Sequence, residues 1–233
     1  MSQKHPIVAI TGSSGAGTTT VKNALSNIFE RVGANAAFVE GDSFHRYNRK
    51  EMKRELVKAK EEGRILSHFG PDGNVFDKQY ELFSSYGDSC AGNIRHYIHN
   101  EEEAVQYGKK PGTFTDWEPL SSDTDVLFYE GLHGGVVTDE YNIAKLVDLL
   151  IGVAPTINLE WIQKICRDTN ERGYKSEDVI EIINRRMYDY MKYILPQFEL
   201  THINFQRIPM LDTSNPLGDR TIPTPDQSLV PVS

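Results

Sequence analysis

The chain has 233 residues, a formal net charge of −8, 39% hydrophobic residues and 25% charged residues. This length accommodates one large domain with a substantial core, and the composition is that of an ordinary globular protein. The acidic balance argues against nonspecific binding to nucleic acid or an anionic membrane, since both call for a basic face. No apolar run approaches the ~18 residues of a spanning helix, and the first one is too short for a signal peptide. We therefore expect a cytoplasmic protein with a small-molecule partner.

The two cysteines, Cys90 and Cys166, are far apart and lack CxxC spacing. This spacing predicts neither a disulfide framework nor a zinc site. Two reduced thiols agree with a cytoplasmic location.

Short apolar runs alternate along the chain with segments of helical periodicity. Strands are predicted at 6–11, 35–40, 125–130, 149–153 and, as an edge strand, 203–209. Helices are predicted at 18–31, 48–63, near 76–86, 159–172 and 176–195. This alternation predicts an α/β fold with a mostly parallel sheet covered by helices on both faces. We expect a single domain over 1–233, with an irregular insertion near the site at about 66–119 and a hairpin around 95–99.

Residues 12–19 read GSSGAGTT and lie between the first predicted strand and the first predicted helix. Glycines there let backbone N–H groups face phosphate oxygens, and the helix N-terminus adds a favourable field. We predict an ATP-binding P-loop made of Gly12, Ser13, Ser14, Gly15, Ala16, Gly17, Thr18 and Thr19. Thr19 occupies the position whose hydroxyl binds Mg²⁺ in a P-loop. Thr18 replaces the usual lysine, so another cation must contact the β- and γ-phosphates. The alternative is a glycine-rich turn that only caps a helix.

Asp42 directly follows the second predicted strand and is accompanied by His45 and Arg49. Ligands of open α/β folds bind at the carboxyl ends of the strands. A kinase acting on an alcohol needs a carboxylate to accept the hydroxyl proton, and cations to hold an anionic substrate. We predict that Asp42 is this base and that His45 and Arg49 bind a substrate phosphate. The alternative is that Asp42 only caps a helix and the arginines are solvated.

Glu130 ends the apolar strand at 125–130 and is followed by a glycine-rich turn. This pattern resembles a Walker B position, in which the carboxylate faces the metal across the phosphate cradle. An acid that merely ends a strand is the alternative.

Lys164, Arg167 and Asp168 are spaced three and four residues apart, on one side of a predicted helix. A segment of this kind closes over phosphates, excludes water and stabilises the transferred charge. Lys164 and Arg167 are therefore candidates for the cation that the P-loop lacks. The alternative is an exposed helix with surface salt bridges.

Longer runs extend these motifs: GSSGAGTTT at 12–20, EGDSFHR at 40–46, LFYEGLHGG at 127–135, INLEWIQKICRDTNERG at 157–173 and FQRIPMLDTSNP at 205–216. Together they resemble the phosphoribulokinase family of the proteobacterial type, P-loop kinases related to uridine kinase. The resemblance covers residues 6 to about 228. That family also lacks lysine at the position of Thr18.

The resemblance implies phosphorylation of the 1-hydroxyl of D-ribulose 5-phosphate by MgATP, giving ribulose 1,5-bisphosphate for Calvin-cycle carbon fixation. It implies that Asp42 is the catalytic base and Glu130 a metal-associated acid, with His45 and Arg49 on the sugar phosphate. It also implies lid residues that serve transfer and substrate binding, namely Lys164, Arg167, Asp168 and Arg172.

Bacterial members of the family form oligomers and respond to NADH or AMP, so a homo-oligomer with such effectors is expected. The loop residues Ser13, Ser14 and Ala16 replace the redox cysteine of plant-type members, so thioredoxin control is not expected. Family members continue beyond this chain, and Pro231 is placed where it would interrupt a closing strand.

Two other functions remain open at the level of sequence. One is a related P-loop kinase for uridine or another sugar phosphate, because Phe114, Trp117 and Tyr129 leave room for a nucleoside base. The other is a truncated regulatory protein that binds nucleotide without turnover. The cations around Asp42 favour a substrate that already carries a phosphate.

Overall fold

The computed structural model describes residues 5–13, 15–170 and 173–233. Its strands are β1 (Ile7–Thr11), β2 (Ala36–Glu40), β3 (Asn93–Ile94), β4 (Glu118–Pro119), β5 (Val126–Gly131), β6 (Leu149–Val153), β7 (Ile203–Phe205), β8 (Ile208–Pro209) and β9 (Ser228–Leu229). Its helices are α1 (Thr18–Val32), α2 (Arg49–Glu61), α3 (Phe76–Ser89), α4 (Glu101–Tyr107), α5 (Ile157–Asn170) and α6 (Ser176–Asp189).

A five-stranded sheet in the order β2-β5-β1-β6-β7 forms the centre of the fold. All four of its strand pairs are parallel. Glu130 of β5 lies opposite Glu40 of β2 on one side and Ile10 of β1 on the other. The carboxyl ends of these three strands therefore meet at one edge, and the predicted parallel α/β fold is confirmed.

Helices cover both faces of the sheet. On one face Ile7 of β1 packs in a buried cluster with Leu82 and Phe83 of α3. On the other face Ile10 packs in a cluster with Phe29 of α1. Strands buried on both faces read as nearly continuous apolar runs, which is why they were recognisable in the sequence.

The segment at 93–98 pairs differently from the predicted local hairpin. β3 pairs with β4, and Tyr97 forms a bridge with Phe114, so the partner segment lies beyond α4. The prediction missed α4, which is short and begins at Glu101, directly after the capping residue Asn100, whose side chain accepts a hydrogen bond from the Glu103 N–H. Long-range pairing of this kind leaves no local turn signal.

Two further predictions need correction near the C-terminus. The helix predicted at 176–195 ends at Asp189 and continues as a π-helical turn and a 3₁₀ turn. The strand predicted at 203–209 is split, because β7 extends the main sheet whereas β8 pairs with β9. Pro231 does not interrupt pairing here, since its carbonyl accepts from the Gln206 N–H at 3.0 Å.

Among the described residues, no helix combines the length and apolar character needed to cross a bilayer.

The buried Gln197 side chain ties the loop after β5 to β1. Its Oε1 accepts hydrogen bonds from the Thr11 hydroxyl (2.8 Å) and the Gly135 N–H (2.9 Å). Its Nε2 donates to the carbonyls of Leu132 (3.0 Å) and Tyr193 (2.7 Å). One amide thus satisfies groups on three segments that meet beside the carboxyl edge of the sheet.

Replacing this amide tests that role. We expect Gln197→Leu to lower the free energy of unfolding by about 2–4 kcal/mol, because several buried polar groups lose a partner at ~1–3 kcal/mol each. Gln206→Leu, at an exposed side chain, is the matched control and should change stability by less than about 0.5 kcal/mol. Chemical denaturation measures both, and equal midpoints for the two variants would contradict the proposed tie.

Candidate active site

The glycine-rich turn between β1 and α1 forms an open cradle of backbone amides. Gly15 and Gly17 have φ angles of 106° and 96°, a region that strongly favours glycine. The turn is closed by hydrogen bonds from the Ala16 N–H to the Ser13 carbonyl and from the Thr20 N–H to the Gly17 carbonyl. No side-chain cap occupies the first amides of α1, which leaves donors suited to phosphate oxygens. Ser14 lies outside the described residues.

Thr18 and Thr19 begin α1 at the mouth of the cradle. Thr19 is exposed. A hydrogen bond with Thr18 lowers the pKa of Glu130, although burial is the larger effect and raises it above its ordinary value. The residue that replaces the P-loop lysine therefore contacts the carboxylate at the end of β5.

Asp42 lies at the same edge, in a 3₁₀ turn that follows β2 directly. The turn packs closely on β5, since a Cβ at Gly41 would come within 2.9 Å of the Gly131 Cα. The Asp42 side chain is 39% exposed, and its carboxylate oxygens lie 3.5 Å from His45 Nε2 and 3.8 Å from His99 Nε2. Asp42 therefore faces the site beside the glycine turn and does not point into the apolar core.

His45 is the buried histidine of this site. Burial lowers its pKa below the ordinary value, so it is neutral at physiological pH. Its ring lies 3.9 Å, centroid to centroid, from that of His68.

Arg49 is the first residue of α2, the helix that follows the Asp42 turn. Its N–H donates to the Gly112 carbonyl at 2.9 Å, and its Nη2 donates to the His99 carbonyl at 3.2 Å. Asn48 caps α2 through a capping box, which sets the position of Arg49. Its side chain also hydrogen bonds Tyr97, but because Arg49 is exposed, a ligand can reach it. Arg172 lies outside the described residues.

Lys164 and Asp168 form a buried pair on α5, with Lys164 Nζ 2.5 Å from Asp168 Oδ2. Arg167 Nη2 lies 2.8 Å from the other oxygen of Asp168. Burial raises the pKa of Asp168, but Lys164 and Arg167 outweigh it and hold that pKa below the ordinary value. Burial of Lys164 and Asp168 contradicts the alternative of an exposed helix with surface salt bridges.

Lys164 lies against the cradle. A Cβ at Gly15 would approach the Lys164 backbone N and Cβ to 3.4 Å. Burial, followed by the charge of Arg186, lowers the pKa of Lys164 to about 8. The helix thus brings a cation to the loop that lacks its own lysine.

Several site residues were not predicted from the sequence. Glu40 lies next to Glu130, 3.7 Å from both Lys22 Nζ and His99 Nε2. His99 first, and then Lys22, lower the pKa of Glu40 against the effect of burial. His99 lies in the insertion and carries no local motif, so only the fold brings it to this edge.

Glu160 is a buried acid beside the cradle, and Arg186 is a half-buried cation on α6. The Tyr190 hydroxyl donates to Glu160 Oε2 at 3.2 Å, and burial raises the pKa of Glu160 to about 7. Burial, with the charge of Arg185 next, lowers the pKa of Arg186 to about 10. An acid one helical turn before Lys164, inside an apolar stretch, was the available signal for Glu160.

Comparison with known proteins finds the family that the sequence motifs resemble. The family model described as "Phosphoribulokinase / Uridine kinase family" matches residues 7–214. The chain is 57% identical over 231 residues to the chromosomal phosphoribulokinase of Cupriavidus necator, covering 99% of this chain and 79% of that protein. It is 55% identical over 231 residues to the phosphoribulokinase of Nitrobacter vulgaris, covering 99% of this chain and 80% of that protein.

Solved structures agree with this relationship. Phosphoribulokinase from Rhodobacter spheroides superposes with a TM-score of 0.87 at 50% identity, covering 97% of this chain and 78% of that one. D-glycerate 3-kinase from Cryptococcus neoformans superposes with a TM-score of 0.59 at 13% identity, covering 97% of this chain and 90% of that one. The second likeness concerns the fold alone.

The lowered pKa of Lys164 predicts an alkaline limit to activity. As the pH rises through about 8, Lys164 in the free enzyme loses its proton, so kcat/KM for ATP should fall. Lys164→Arg keeps its charge at this pH and should move the alkaline limb upward, whatever its activity at neutral pH. Lys60→Arg, at an exposed position of α2, should leave the profile unchanged. An identical alkaline limb in wild type and Lys164→Arg would exclude Lys164 as its source.

Proposed function

Because this chain belongs to the phosphoribulokinase / uridine kinase family, we propose that it transfers the γ-phosphoryl group of ATP to the 1-hydroxyl of D-ribulose 5-phosphate. The product is ribulose 1,5-bisphosphate, which Calvin-cycle carbon fixation consumes. The observation that carries the proposal is the placement of Asp42 at the carboxyl edge shared with the glycine cradle, with His45 Nε2 3.5 Å from its carboxylate and the exposed Arg49 at the start of the following helix. The relatives' identities above 50% support the same reaction.

Asp42 accepts the proton of the attacking hydroxyl. Its partly exposed carboxylate is anchored by a turn that is packed on Gly131. A general base must reach the hydroxyl that it deprotonates, and only an accessible carboxylate satisfies this. Asp42 therefore directs the alcohol oxygen toward the phosphates held at the start of α1.

Lys164 and Arg167 supply the positive charge for the transferred phosphoryl group. The P-loop itself has Thr18 at the lysine position, and Lys164 lies against Gly15 of the cradle. Asp168 holds both cations through its two oxygens. Cations positioned in a water-poor site stabilise developing charge more strongly than cations in bulk water.

Thr19 and Glu130 fit a Mg²⁺ ion bound together with the nucleotide. Both offer oxygen donors, and Glu130 lies at the end of β5 beside the cradle. Within the described ranges no group of three or more His, Cys, Asp or Glu forms a metal cage. Mg²⁺ in kinases is commonly held by one or two protein oxygens plus substrate phosphates. When bound, the ion would neutralise phosphate charge during transfer.

The substrate phosphate is assigned to Arg49, which is charged, and to His45, whose neutral imidazole can donate one hydrogen bond. Arg49 is exposed, although it bonds the His99 carbonyl and the Tyr97 side chain, and His45 Nε2 lies 3.5 Å from Asp42 Oδ1. Arg172 belongs to this proposal through the family resemblance. Arginine recognises phosphate through paired donors, which suits a substrate that already carries a phosphate.

The aromatic side chains do not favour a nucleoside acceptor. Tyr129 is fully buried in the core, and Phe114 and Trp117 pack on the guanidinium of Arg95 at 3.7 and 4.6 Å. Tyr129 is therefore out of reach of a base, and one face of Phe114 and one face of Trp117 are already packed on Arg95. A homo-oligomer and control by NADH or AMP remain predictions from the family resemblance.

A comparison of acceptors tests the proposal. Purified protein with MgATP is assayed by coupled ADP release against ribulose 5-phosphate, ribose 5-phosphate, uridine and glycerate. We expect ribulose 5-phosphate to give the highest kcat/KM. A higher value for uridine or glycerate, or no turnover with any acceptor, would overturn the proposed reaction.

Removal of the base tests its assignment. We expect Asp42→Asn to lower kcat by about 10²–10⁴-fold while ATP affinity changes little, the scale of a lost general base. Asp77→Asn, an exposed acid in the first turn of α3, is the control and should keep wild-type kcat. Steady-state kinetics and ATP-binding titration measure both effects, and near wild-type kcat for Asp42→Asn would remove it from this role.

A further inference from the structure

Arg95 reaches from the insertion to the turn that carries Asp42. Its Nε donates to the Ser43 carbonyl at 2.8 Å, and its Nη2 donates to the His45 carbonyl at 2.6 Å. The intervening Phe44 carbonyl accepts from the Val75 N–H at 2.8 Å on another segment. Three consecutive carbonyls of this turn are thus held, and Arg95 holds the two outer ones.

Two aromatic rings fix the guanidinium of Arg95. Its Cζ lies 3.7 Å from the ring centroid of Phe114 and 4.6 Å from that of Trp117. Burial lowers the pKa of Arg95 to about 10, so it remains charged at neutral pH. Among the described residues no carboxylate forms an ion pair with it at 4.0 Å or less. The guanidinium of Arg95 therefore contacts the two carbonyls and the two aromatic rings.

A partly buried cation without a carboxylate partner is costly for stability. If the side chain at position 95 only filled space, an apolar residue of similar length would do so without burying a charge. The fork of donors on an arginine, in contrast, sets the distance and angle of two carbonyls at once. These carbonyls flank the backbone that orients Asp42 and His45.

We propose that Arg95 is a positioning residue, which holds the turn 42–45 so that Asp42 and His45 meet the acceptor in reactive geometry. This inference rests on the proposed function. Misplacement of a catalytic group by about 1 Å costs up to ~10²-fold in rate. Loss of Arg95 is therefore expected to lower the rate of phosphoryl transfer. The affinity for ATP should change little, because the nucleotide is assigned to the glycine cradle and not to the Asp42 turn.

The test uses the full chain and the acceptor that the wild type phosphorylates best. We expect Arg95→Ala to lower kcat by about 10–10²-fold, with an ATP dissociation constant within about threefold of wild type. Arg95→Lys keeps the charge without the two-carbonyl fork and should recover only part of the loss. Arg54→Ala, at a side chain that is 66% exposed on α2, is the matched control with unchanged kinetics.

Two readouts separate positioning from a merely structural role. Millimolar guanidinium, which fits between Phe114 and Trp117 in Arg95→Ala, should raise kcat of this variant, whereas the same concentration of ammonium should not. In an Asp42→Asn background, Arg95→Ala should add little further loss, because both changes remove the same base function.

The opposing outcomes are distinct. Wild-type kcat in Arg95→Ala, or a loss that guanidinium does not rescue and that multiplies fully with Asp42→Asn, overturns the positioning role. Failure of the wild type to phosphorylate ribulose 5-phosphate contradicts the proposed function instead. In that case kcat of Arg95→Ala is still compared with that of the wild type, using the acceptor that the wild type phosphorylates.

Discussion

The parallel register of β2, β5 and β1 is the constraint on which the site depends. Because these strands run in the same direction and end together, Glu40, Glu130 and the start of the glycine turn reach one edge of the sheet. The Gly12 N–H donates to the Gly131 carbonyl at 3.2 Å, which joins the cradle to the end of β5. A shift of one residue would send every side chain of β5 to the opposite face of the sheet. Register thus sets the distance between the phosphate cradle and Asp42.

Burial and ion pairing act in opposite directions on the charged groups of this site. Lys164, Asp168 and Glu160 are all buried beside the cradle, and desolvation is the largest influence on the pKa of each. A low-dielectric surrounding strengthens their interactions with one another and with phosphate. It also brings the pKa values of Glu160 and Lys164 to about 7 and about 8, whereas Asp168 keeps a pKa below its ordinary value.

The segment at 93–119 contributes residues to the Asp42 turn from a distance in sequence. His99 reaches Glu40 and Asp42, and Arg95 holds the backbone of the Asp42 turn. Pairing of β3 with β4 and of Tyr97 with Phe114 places these residues against the sheet edge. The strand and helix framework supplies the nucleotide half, and this segment supplies contacts to the other half.

The sequence by itself determined the strands, the main helices and the motifs at their ends. Short continuous apolar runs and apolar residues of period 3.6 are local signals. The glycine turn, Asp42, Glu130 and Lys164 each lie at a recognisable position relative to them. Only the tertiary structure shows that Lys164 is buried against Gly15. It also shows that Trp117 and Phe114 pack on Arg95 and that His99 Nε2 lies 3.8 Å from the Asp42 carboxylate. These contacts join residues far apart in the chain, so no local periodicity or spacing in the sequence indicates them. Desolvation depends on the same contacts, which is why the charged core around Glu160 and Arg186 emerged only from the fold.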